Sequence, residues 1–94
     1  MNLTIEFHGL PHAVVGRKVI PLDMPDAATY RDIVRHLAAD YPGLIGLVID
    51  PDRENFLSSN MFVINGDLAT PAMLLDEVPQ DGAHLILMSV ITGG

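Results

Sequence analysis

The run His84-Leu85-Ile86-Leu87-Met88-Ser89-Val90-Ile91, closed by Thr92-Gly93-Gly94, constrains the fold more than any other stretch of the chain. Side chains on a strand alternate between faces, and here both alternating pairs, Leu85 with Leu87 and Ile86 with Met88, are apolar. Such a strand needs cover on both sides. If one pair meets a helix, the other must be covered by a loop, for which Leu44 to Ile49 is the candidate, or by another protein, since exposed apolar patches mark interaction sites. After the strand the diglycine is bare. Glycine has no Cβ, so Gly93-Gly94 suits a narrow channel that any side chain would block. Chain ends are also often small and disordered without a function, and the tail by itself does not decide between these.

Asn2-Leu3-Thr4-Ile5-Glu6-Phe7-His8 alternates with period two and reads as a strand with Leu3, Ile5 and Phe7 on one face. Gly9-Leu10-Pro11-His12 punctuates it, and a second strand is expected from about Arg17 to Asp23, forming a hairpin. Pro21 cannot donate to a ladder, which puts that strand at a sheet edge or on a bulge. Thr29 is placed to cap a helix, with Asp32 near the positive end of its dipole. Ile33, Val34, Leu37, Ala38 and Tyr41 recur at helical spacing, and Pro42-Gly43 stops the helix. From Leu44 to Asn60 periodicity leaves a buried strand, a short helical turn and an extended connection all open. A strand at Met61 to Ile64, a turn at Asn65-Gly66-Asp67, a short helical turn near Ala72 to Leu75 and the Asp81-Gly82 turn lead to the last strand. Strand, strand, helix, strand, strand is the order of an α+β fold of the β-grasp type. Leu85 and Leu87 are expected in its core with Ile5, Phe7, Ile33, Leu37 and Val63.

At 94 residues there is room for one domain and one core. Twelve acidic residues against five basic ones give a net charge of −7, which repels phosphate backbones and anionic lipids and suits a basic partner surface. Nucleic acid and membrane are not expected partners. No apolar run reaches the roughly 20 residues of a bilayer span, and Met1-Asn2-Leu3-Thr4 has no signal-peptide pattern, so a cytoplasmic location is expected. Cysteine is absent, which removes disulfides, thiolate nucleophiles and thiolate metal sites.

Other constellations carry little chemistry. His8, His12, His36 and His84 lack metal-ligand spacing, so no metal is expected. Asp50, Asp52 and Glu54 begin like a calcium loop but lack its sixth-position glycine and its final glutamate. Ser58 and Ser59 have no nucleophile-elbow glycines, and no phosphate-binding loop is present.

Met61-Phe62-Val63-Ile64-Asn65-Gly66-Asp67 and the stretch from Glu77-Val78-Pro79-Gln80-Asp81-Gly82 through Ile91-Thr92-Gly93-Gly94 resemble the MoaD/ThiS family of ubiquitin-like sulfur carriers, most nearly the small subunit of molybdopterin synthase. The likeness runs more loosely over the whole chain. It implies a single β-grasp domain over 1–94 with the first and last strands parallel at the sheet centre and a flexible tail at 91–94. It further implies that the protein is a carrier or synthase subunit, not an enzyme, and binds no cofactor. A separate ATP-dependent adenylyltransferase of the ubiquitin-activating type would adenylate the Gly94 carboxylate, and sulfur would then form a C-terminal thiocarboxylate. Without cysteine, the sulfur can sit only on that carbonyl. Gly93 would thread, Ile91 and Thr92 would position the tail, and Leu68, Ile86 and Met88 would hold the partner: the adenylyltransferase, or a synthase large subunit or other sulfur acceptor. With Gly94 last, no processing protease is expected. His8 departs from the family pattern, whose matching position is typically apolar. A modifier joined to lysines through Gly94 and an inert interaction module are the alternatives.

Overall fold

A computed structural model describes residues 1–56, 60–69 and 73–89. β1 (Asn2–His8) keeps the alternation of its sequence: Leu3, Ile5 and Phe7 are buried, and Thr4, Glu6 and His8 are half-buried on the opposite face. The chain then forms a short helix, α1 (Leu10–Val15), with Pro11 in its first turn and Gly16 at φ 78 closing it. This helix replaces the simple turn expected between the first two strands. β2 (Val19–Asp23) begins at Val19 and not at Arg17, and pairs antiparallel with β1 at the edge of the sheet, where Pro21 is tolerated.

α2 (Tyr30–Asp40) starts at a full capping box: the Thr29 hydroxyl accepts from the Asp32 amide, and the Asp32 carboxylate accepts from the Thr29 amide at 3.0 Å. Its stripe of Ile33, Val34, Leu37 and Ala38 is buried against the sheet, and Tyr41 at its end meets Phe7 edge-on, with ring centroids 6.4 Å apart. A 3-10 turn at Pro42–Leu44 follows. In the segment left open by periodicity, residues 57–59 lie outside the described residues, and residues 44–56 are none of the three options throughout. After that turn Ile49 makes isolated bridges to Ile45 and Phe56, and Leu44, Val48, Ile49 and Phe56 fill the same core as α2.

β3 (Asn60–Ile64) and β4 (Asp67–Ala69) form a hairpin around Asn65 and Gly66, both at positive φ (50° and 89°), as a two-residue turn matched to strand twist requires. Beyond β4, Met73 to Asp76 turn and Leu75 is buried. β5 (His84–Ser89) lies between β1, to which it is parallel, and β3, to which it is antiparallel, giving the order β2-β1-β5-β3-β4. A mixed sheet with one long helix across it is the β-grasp, ubiquitin-like fold. Leu85 and Leu87 are each 1% exposed and sit in the core. Val63 does not join them. It stands opposite Ile86 in register, half-buried on the other face, because the pairing with β5 and not the local pattern sets which residue of β3 points inward. Among the described residues, no helix is long and apolar enough to cross a membrane.

Candidate functional site

The face of the sheet away from α2 is built by the registers. One row crosses all five strands as Leu68, Val63, Ile86, Glu6 and Val19. Leu68 is 71% exposed and Val19 40%, while Val63, Ile86 and Met88 are half-buried. The loop from Leu44 to Ile49 was the candidate cover for this side of β5, yet Leu44, Val48 and Ile49 are spent in the inner core. Among the described residues an apolar patch therefore stays on the outside, running along β5 and across β3 to β4.

At its border is a polar trio. His84 stands opposite Thr4, and His8 opposite Met88, so the two imidazoles approach Glu6 from opposite ends along the strands. The Glu6 carboxylate takes Nε2 of His8 on Oε2 and Nε2 of His84 on Oε1, the latter at 3.2 Å. An ionised carboxylate only accepts, so each ring donates its Nε2–H. These bonds, the one from His8 first, hold the Glu6 carboxyl below the usual carboxylate range against the opposing effect of burial. No group of three or more His, Asp or Glu among the described residues is arranged to hold a metal ion.

Beside Leu68 lies a cleft of about 390 Å³ whose walls include Tyr30, Asp67 and Glu77. Burial pushes the Tyr30 phenol up, and the Glu77 carboxylate adds to the effect. The Asn65 side chain accepts from the His84 amide at 2.9 Å, tying the β3–β4 turn to the start of β5.

Of the residues singled out in the sequence, the structure brings Leu68, Ile86 and Met88 to one face. Ile91, Thr92, Gly93 and Gly94 lie outside the described residues. Sequence reasoning does not bring Val63 or His84 to this face. The alternation of β1 placed Glu6 and His8 on one side, but only the parallel register reveals His84 beside them.

The sequence profile of the ThiS family matches residues 11–94. The chain belongs to the ThiS family. Solved structures similar to this ThiS-family protein include SAMP1 of Haloferax volcanii, at 22% identity and TM-score 0.81 over 100% of both chains. Urm1 of Trypanosoma brucei is similar at 20% identity and TM-score 0.75, over 99% of this chain and 95% of that one. A chain in the complex of subunits 1 and 2 of the molybdopterin-converting factor from Helicobacter pylori is similar at 16% identity and TM-score 0.61, over 100% of both. At these identities the likeness is one of fold. No curated protein sequence matches the chain. Proteins of the ThiS family are small carriers rather than catalysts, and this protein is one of them.

Proposed function

We propose that this ThiS-family protein is a cytoplasmic sulfur carrier whose Gly94 carboxylate is activated by a separate ATP-dependent adenylyltransferase. A free carboxylate is a poor acyl donor because its leaving group would be oxide. Attack of that carboxylate on the α-phosphorus of ATP expels pyrophosphate and leaves an acyl adenylate; a sulfide nucleophile then displaces AMP and leaves a thiocarboxylate. The chain itself binds no cofactor in this scheme. The thiocarboxylate delivers its sulfur inside a synthase large subunit or other acceptor, and molybdopterin formation is the favoured recipient.

The observation that carries this reading is the placement of the apolar face. Ile86 and Met88 lie on β5, the strand that continues in sequence to Gly93-Gly94. A partner gripping Leu68, Ile86 and Met88 thereby holds the element that leads to the tail, with Ile91 and Thr92 positioning it and Gly93 threading. The similarity to one chain of a two-subunit converting factor supports the choice of a synthase subunit as acceptor.

A second reading is favoured by the similarity to SAMP1, a small archaeal modifier protein, and to Urm1: the same adenylate attacked by a lysine amine, joining Gly94 to another protein. Intact-mass spectrometry tests the first. Incubation with ATP, the adenylyltransferase and sulfide is expected to add the mass of one oxygen-for-sulfur exchange, lost when Gly94 is deleted. An unchanged mass beside an active adenylyltransferase refutes it, and a ladder of conjugates in cells would favour the modifier.

A further inference from the structure

Glu6 occupies the row that runs Leu68, Val63, Ile86, Glu6, Val19, so a partner seated on Val63 and Ile86 also covers its carboxylate. That side chain is only 19% exposed, and both of its oxygens are already engaged, by His8 and by His84. A carboxylate satisfied in this way can be covered without a cation from the partner. What remains is net charge. With both imidazoles neutral the trio carries a single negative charge, and with one imidazole protonated it carries none. Covering the face removes water and penalises the net charge, so the covered state favours the form with one more proton. Histidine is the side chain that gains its charge between pH 5 and 8.

Among the described residues no other charged group stands in register with the trio. On β2 the residues opposite Thr4 and Glu6 are Pro21 and Val19, and on β5 those opposite Glu6 and His8 are Ile86 and Met88. Asn65 bonds the backbone of His84, not its ring. At the borders, α1, packed near β1 and β5, carries exposed His12; Arg17 and Lys18 are exposed before β2; and Asp67 is exposed at the start of β4. Asp23 lies opposite Asn2 at the far end of β1, and Asp81 accepts from the Asn2 amide there.

Resting on the carrier reading above, we infer that docking of the adenylyltransferase on this face is coupled to uptake of about one proton by the Glu6, His8 and His84 trio. The sign follows from the bound state holding the extra proton. Affinity rises as pH falls from about 8 towards 6, and the gain ends where the free protein is already protonated. The depressed Glu6 carboxyl keeps the anion present throughout that range.

The test is isothermal titration calorimetry of the intact protein with its adenylyltransferase between about pH 6 and 8, in buffers of different ionisation enthalpy that count the protons exchanged. The dissociation constant is expected to fall by up to about tenfold per pH unit on acidification, with about one proton taken up. The double variant His8→Gln, His84→Gln should abolish both effects, and His12→Gln should keep both. If the double variant does not fold, Glu6→Gln serves, because it removes the anion whose neutralisation drives the uptake. A dissociation constant independent of pH, with sulfur loading intact, overturns this inference and leaves the carrier reading standing. Absence of both binding and adenylation at every pH refutes the carrier reading and this inference with it.

Discussion

Two leucines on opposite faces of the sheet should respond to substitution in opposite ways. Leu87 is 1% exposed and Leu68 is 71% exposed. Leu87→Ala loses the transfer free energy of the deleted groups and leaves a cavity, together about 2–5 kcal/mol. At about 4–8 °C per kcal/mol for a domain of this size, Tm falls by roughly 8–40 °C, and a total stability of only about 5–15 kcal/mol makes the upper end equivalent to unfolding. Leu68→Glu forfeits little burial, and surface substitutions shift stability by about 0.5 kcal/mol or less, so Tm should move by no more than about 4 °C. Binding should reverse the ranking, because Leu68→Glu sets a charge in the apolar patch that a partner must cover. Urea and thermal melts followed by far-UV circular dichroism give the first comparison, and calorimetry with the adenylyltransferase gives the second. If Leu68→Glu destabilises the fold as much as Leu87→Ala, the outer face is already covered within the chain and the docking argument fails.

Other consequences are open to direct measurement. Thr29→Ala removes the hydroxyl half of the α2 capping box and should cost about 1 kcal/mol in a urea melt. Asp32 is held below the usual carboxylate range, first by the Thr29 amide. Its contribution is therefore complete above its unfolded value near pH 4 and is lost as pH falls through the lower folded value, so Asp32→Asn should flatten the acid limb of a stability-against-pH curve. Gly66→Val places a β-branched residue at φ 89 and should cost about 1–3 kcal/mol, or slip the β3–β4 register, which amide exchange would detect. Met88→Glu should weaken partner binding in the manner of Leu68→Glu while leaving the far-UV spectrum unchanged.

The features legible in the sequence were those with a local cause. Thr29 and Asp32 mark the helix start, Pro21 marks the edge strand, and Asn65-Gly66 marks the hairpin, each through backbone chemistry within a few residues. α1 escaped because its six residues are too short to show a helical period, and Val14-Val15 favours a strand by composition. Alternation cannot choose a face for Val63, because Phe62, Val63 and Ile64 are all apolar. Its side is chosen by Ile86, which lies elsewhere in the chain. The same limit hid the trio at the candidate site, since Glu6 and His84 are 78 positions apart and meet only through the parallel register. The outward pair of β5 was legible because both of its faces are apolar and one helix cannot cover both.

The central place of β5 also orders the folding of the chain in time. Removed from the order β2-β1-β5-β3-β4, it leaves two separate hairpins with no shared edge. Pairs such as Ile5 with Leu85 close a loop that contains nearly the whole sequence, so chain entropy opposes them until everything between is in place. During synthesis from the N-terminus the sheet cannot be completed before β5 leaves the ribosome. A chain truncated before this strand is expected to lose the pairing that joins the two hairpins, which limited proteolysis would detect as faster cleavage. Reaching the native sheet therefore requires a polypeptide extended through β5, and a partner that recognised the folded outer face would meet few chains cut short before that strand.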